Sequence, residues 1–223
     1  MAISVNDIYM FALDLIKKNQ AGGLKPSSFQ YQWNDAQSSY MDDLLGRFQL
    51  RSNGKTGLNT GLIEDETILQ KISPFITNAT VTITGGNGNK PADFVYRLGL
   101  RINGYDCYKI NYNQIASVNA SVIDPPSATT NTYYFIEYLG YYTFLPSSVT
   151  SATLDYVAQP ADVVWGYTIV SGREVYNSGT STQPQWGVNS CREITKRMLA
   201  NLGVAYKDTD FENFGRQVQT VGE

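Results

Sequence analysis

Twice along this chain the spacing of apolar residues changes, and those changes constrain the fold more tightly than any motif does. Val5, Ile8, Tyr9, Ala12, Leu15 and Ile16 recur at helical spacing behind Ser4-Val5-Asn6-Asp7, which has the shape of a capping box. A helix over 5–18 is expected, with Lys17 and Lys18 suiting the carboxyl end of its dipole and Gly22-Gly23 breaking it. A second helix is expected from Pro26, since proline is tolerated in a first turn, with Phe29, Trp33, Ala36, Tyr40, Leu44 and Phe48 on one stripe. The short connection predicts that the two pair antiparallel. A shorter helix over 64–72 ends at Ser73-Pro74. From about Ala79 the period becomes two, the signature of strands, over 81–83, 94–102, 107–112, 133–138, 141–145, 154–158 and 165–170. Gly85 to Asn89, Leu139-Gly140 and Ser171-Gly172 read as turns, and 124–131 as a surface loop. Helical spacing returns over 191–202, where Asn189 or Ser190 caps and Gly203 takes the position just past the end.

These switches predict an α+β protein. The amino-terminal helices and the carboxyl-terminal helix form a helical layer, and an antiparallel β region, a sheet or sandwich, is inserted between them. The expected parts are a helical 1–75, a β-rich 76–188, a helix over 189–205 that packs on the first helices, and an extended arm over 206–223.

Composition narrows the chemistry. None of the 223 residues is histidine, which removes the commonest general base and the favoured transition-metal ligand, so no catalytic, cofactor-binding or metal-binding residue is expected. Asp42-Asp43 and Glu64-Asp65-Glu66 are the densest carboxylates; solvated helix faces and first-turn acids account for them. Gly54-Lys55-Thr56 lies in a Gly- and Asn-rich stretch, 51–61, that lacks the preceding glycine and strand of a phosphate-binding loop, so an exposed loop is expected. Cys107 and Cys191 read as two buried free thiols. Net charge is −3 with no basic run beyond Lys17-Lys18, so DNA that passes this protein is not gripped. No apolar stretch reaches bilayer length, and the first twenty residues resemble the start of a mature cytosolic chain more than a signal peptide. Only 17% of residues are charged, and Asn, Gln, Ser, Thr and sixteen tyrosines supply most of the polarity, a surface that is cheap to desolvate against another protein.

Three blocks in order carry a family likeness. Val5-Asn-Asp-Ile-Tyr9 with Lys18-Asn-Gln20 and the helix from Pro26 form the first. Leu154-Asp-Tyr156-Val-Ala-Gln-Pro160, Trp165-Gly-Tyr167-Thr-Ile-Val170 and Val175-Tyr176 form the second, and Glu193-Ile194 to Leu199-Ala-Asn-Leu202-Gly203-Val204 the third. Together they resemble ring or neck proteins of crAss-like phages and other tailed phages of Bacteroidetes. The resemblance implies a portal-adaptor-like head-to-tail connector: a virion structural protein of the neck and tail, made in the host cytoplasm. It also implies a homo-oligomeric ring of twelve copies that contacts the portal and an adjacent ring or tail protein, its helices facing the portal. Residues 111–132 diverge from that pattern.

Within this reading Trp165, Tyr167 and Gly203 are structural residues. Tyr206, Phe211 and Phe214 are the expected assembly-interface residues of an arm too poor in apolar groups to order itself. The rival function is a carbohydrate- or receptor-binding β module of a fibre or decoration protein, using the exposed aromatics.

Overall fold

The computed structural model describes residues 3–18, 23–52 and 60–205, in two compact units. One comprises 75–159; the other joins 1–74 to 160–223.

The helical unit begins with α1 (Val5–Lys18), where Ser4 caps as its spacing predicts: its Oγ accepts from Asp7 N at 3.1 Å and its carbonyl from Ile8 N at 3.2 Å. Then follow α2 (Pro26–Ser52) and α3 (Thr60–Ile72), which starts four residues before the expected 64. The predicted stripe of α2 is buried at Phe29, Trp33, Ala36, Tyr40 and Leu44. The Phe48 side chain and the middle of the expected loop, including Gly54, Lys55 and Thr56, lie outside the described residues, whereas Arg51 and Ser52 are helical in α2.

The other unit is a closed barrel. Its seven strands are β1 (Ile76–Thr84), β2 (Asn87–Asn89), β3 (Phe94–Ile102), β4 (Tyr105–Lys109), β5 (Tyr133–Glu137), β6 (Tyr141–Leu145) and β7 (Ser151–Ala158), paired around the ring as β1-β2-β6-β5-β4-β3-β7. This corrects the expected sheet or sandwich in two ways. First, β4 and β5 run parallel, Cys107 opposite Tyr133, because residues 110–132 form a long crossover containing the short α4 (Ile115–Asn119). Second, part of the segment read as a turn is a strand: β2 pairs β1 on one side and β6 on the other, and so closes the ring. Gly88 makes that possible, since a Cβ there would sit 2.5 Å from Val81 Cγ1. Inside lie Val81, Ile83, Leu100, Ile102, Tyr133, Phe135, Tyr142, Phe144, Leu154 and Tyr156. The alternation that identified the strands is therefore that of a filled barrel.

The β-rich part does not extend to 188. From Pro160 the chain belongs to the helical unit, where it forms the two-stranded hairpin β8 (Tyr167–Val170) and β9 (Arg173–Tyr176) and then α5 (Val188–Ala205). Side-chain amides explain the difference. Asn34 of α2 accepts from Val163 N at 2.8 Å and donates to Val163 O at 3.2 Å, and Gln37 Nε2 donates to Ala161 O. Gln30 Nε2 donates to Trp165 O at 3.1 Å. Spaced four and then three residues apart, these amides share one helix face and serve the extended backbone as a neighbouring strand would.

α5 has the expected bounds to within one residue, but its two capping assignments differ. Cys191 N donates to Gly187 O at 2.9 Å, so Gly187 occupies the cap position and Asn189 and Ser190 lie inside the first turn. Gly203 is buried within the helix, which continues to Ala205, so it is not the left-handed stop that was expected.

Candidate assembly surface of the helical unit

Trp165 is the best-anchored of the expected structural residues. It is 4% exposed, its ring lies 4.4 Å from Tyr9 and 5.8 Å from each of Tyr167 and Tyr176, and its Nε1 donates to Asn6 Oδ1 at 3.1 Å. It lies just before β8 rather than within it. The following Gly166 passes so close to Thr180 that a Cβ would come within 2.5 Å of that residue's backbone. Tyr167 stacks on Trp165 and remains partly exposed.

Beyond this anchor the hairpin faces solvent. Ile169 is 72% exposed, and Val170 and Val175 are also exposed, so apolar side chains project from both strands of a two-stranded sheet. Such residues contribute little to the subunit's own core.

A second apolar feature lies between α1 and α5, a groove of about 350 Å³. Ile8 and Leu199 form its floor and Ile3 and Phe11 its walls, with Phe11 54% exposed. Its rim is charged: Arg192 and Lys196 on α5, Asp7 on α1. Lys196 Nζ lies 3.3 Å from Glu193, while no carboxylate among the described residues forms an ion pair with Arg192. The groove arises because α1 and α5 each bury one stripe and leave Phe11 and the α5 cations outside it.

The carboxylates read as solvated faces separate. Asp42 is exposed, but Asp43 accepts from Arg197 of α5 at 2.7 Å and from Arg47 at 3.3 Å. Burial raises its carboxyl, and the two guanidinium groups outweigh that and hold it below the usual range. Glu66 is exposed, whereas the side chains of Glu64 and Asp65 lie outside the described residues.

In the barrel, Glu137 continues the inward phase of Tyr133 and Phe135 beside the β5–β6 turn and gathers three cations. Lys109 Nζ lies at 2.8 Å, Lys90 Nζ at 3.1 Å and Arg97 Nε at 3.7 Å from its carboxylate. Lys90 is nearly buried, 4.4 Å from the Phe94 ring centroid and 4.9 Å from that of Tyr142. Burial raises the Glu137 carboxyl, but hydrogen bonds from Lys109 and Lys90 prevail and leave it below its ordinary value. Sequence reasoning missed this cluster because its members are scattered over β3, β4, β5 and the residue after β2. The only local hint was an acid at an inward position of a strand.

Cys107 is half-buried and Cys191 buried, and both are free; burial pushes the Cys107 thiol up to about 12 and the Cys191 thiol to about 11. Neither is a ready nucleophile at neutral pH. Tyr206, Phe211 and Phe214 lie outside the described residues. Among the described residues no cluster of side chains suited to a metal ion occurs, and no helix is long and apolar enough to cross a membrane. No protein-family model matches this sequence, and no curated protein matches it.

Proposed function

We propose that this chain is a non-enzymatic structural subunit of a tailed-phage virion, forming a ring in the neck between portal and tail. In this reading it seals the junction and lines the channel through which DNA passes without specific binding. The observation that carries the reading is the placement of apolar side chains at solvent. Phe11 stands in the α1/α5 groove, Ile169, Val170 and Val175 project from the hairpin, and Val122 and Ile123 lie almost fully exposed on the barrel's crossover. Each unit has buried its own core and still presents such groups, as an assembly subunit requires. The ordered sequence blocks from Val5, Leu154 and Glu193 supply the likeness to phage neck proteins. Their family implies twelve copies, with the portal and an adjacent ring or tail protein as neighbours.

The test is assembly. The purified chain, alone or with its portal, is expected to give closed rings in negative stain and to co-purify with the portal. A protein that stays monomeric and binds neither portal nor tail proteins is not a connector. One feature favours the carbohydrate-binding alternative: Tyr105 and Tyr108 on β4 and Tyr112 after it are all exposed, with Tyr108 6.0 Å from Tyr134. Glycan-array binding by the monomer, lost in Tyr108→Ala, would establish that reading instead.

A further inference from the structure

We infer that the α1/α5 groove is the receptor for residues 208–214 of a second copy of this chain, an inference that rests on the oligomeric reading above. The groove combines two chemistries. Its floor and wall are apolar, with the Phe11 ring more than half exposed, and its α5 rim carries Arg192 and Lys196. Its own carboxylates do not saturate those cations: Glu193 takes Lys196, Asp7 lies on the opposite rim, and Arg192 forms no ion pair among the described residues.

The complementary chemistry follows α5 in the same chain. After Ala205 the sequence continues to Glu223, and within it Asp208, Asp210 and Glu212 are interspersed with Phe211 and Phe214. Two aromatic rings spaced by three residues suit an apolar groove, and three carboxylates beside them suit a cationic rim, which sets register and speeds encounter. Groove and segment are different patches of one chain. Each copy therefore gives one and receives one; where the copy that receives an arm is not also its donor, the contact is heterologous and closes as a ring.

Photo-crosslinking of the full-length protein tests this. Phe11, exposed and outside the core, is replaced by p-benzoylphenylalanine, the protein is irradiated, and products are separated on a denaturing gel and mapped by mass spectrometry. The expected product is a covalent dimer joined to the tryptic peptide 208–216, bounded by Lys207 and Arg216. Its yield should fall at least about fivefold with Arg192→Glu and recover when Asp210→Arg is added. A link to that peptide within a single chain, a link to any other segment, or no dimer overturns the inference. Closed rings without the link leave the oligomeric reading standing and remove the groove as receptor. The link without closed rings keeps the groove and removes the ring.

Discussion

The barrel and the extended stretch from Pro160 to Gly187 solve the same problem in opposite ways. In the barrel, backbone N–H and C=O groups meet each other around seven strands, and side chains only fill the interior. In 160–187 a short hairpin and isolated bridges pair few of those groups, so Asn34, Gln37 and Gln30 of α2 and Gln185 reach the backbone instead. A ladder distributes its stability over many equivalent bonds. A staple concentrates it in a few side chains, each without substitute.

The sharpest way to break that contrast is Trp165→Ala. Removing an indole held by Tyr9, Tyr167, Tyr176 and Asn6 should destabilise the helical unit by about 3 to 5 kcal/mol in urea unfolding. An unchanged midpoint would mean that the hairpin is not anchored there. Next comes Asn34→Leu, which leaves both backbone groups of the fully buried Val163 without their partner at about 1 to 3 kcal/mol each. Amide exchange at Val163 should accelerate while that at Leu154 in β7 stays as it was. Equal acceleration at both would show one cooperative body rather than two differently built ones.

Glu137 offers a smaller and pH-dependent effect. Because its folded carboxyl lies below the unfolded value of about 4.3, its contribution is complete above that pH and fades as pH falls through the lower folded value. Glu137→Gln should cost about 1.5 to 3 kcal/mol at pH 7 and flatten the acid limb of the barrel's stability curve. An acid limb identical to that of the parent protein would assign the barrel's pH dependence to its other carboxylates. The smallest effect on stability is expected from Ile169→Ser, below about 0.5 kcal/mol, because that side chain is mostly exposed. If the chain forms rings as proposed, ring yield is where this variant should lose, and a lowered melting temperature would place Ile169 in the subunit's own core.

What was legible in the sequence was local. Ser4 capped as its spacing required, and α1, β3 and β6 have the bounds that periodicity predicts. Alternation says which face a residue occupies but not which strand lies beside it, so neither closure through Gly88 nor the parallel pairing at Cys107 could be read. Asn34 and Gln37 carried no signal, since an amide that binds another segment's backbone looks like any polar residue of a helix surface. Gly203 misled because a glycine near a helix end stands equally well for a stop or for tight packing. The apolar half of the groove was visible as Ile8, Phe11 and Leu199, but only the placement of α5 beside α1 turns them into one surface.

The chain enters and leaves the barrel on neighbouring strands, Ile76 lying opposite Val157, and the helical unit is assembled from both sides of that detour. Synthesis therefore imposes a waiting time. When α2 leaves the ribosome, Val163, Trp186 and α5 do not yet exist, and at about 5 to 20 residues per second their arrival takes on the order of ten seconds. During that interval the barrel segment is completed first, while Phe29, Trp33 and Tyr40 lack their later partners. The nascent helices are thus left without these partners until α5 has been made.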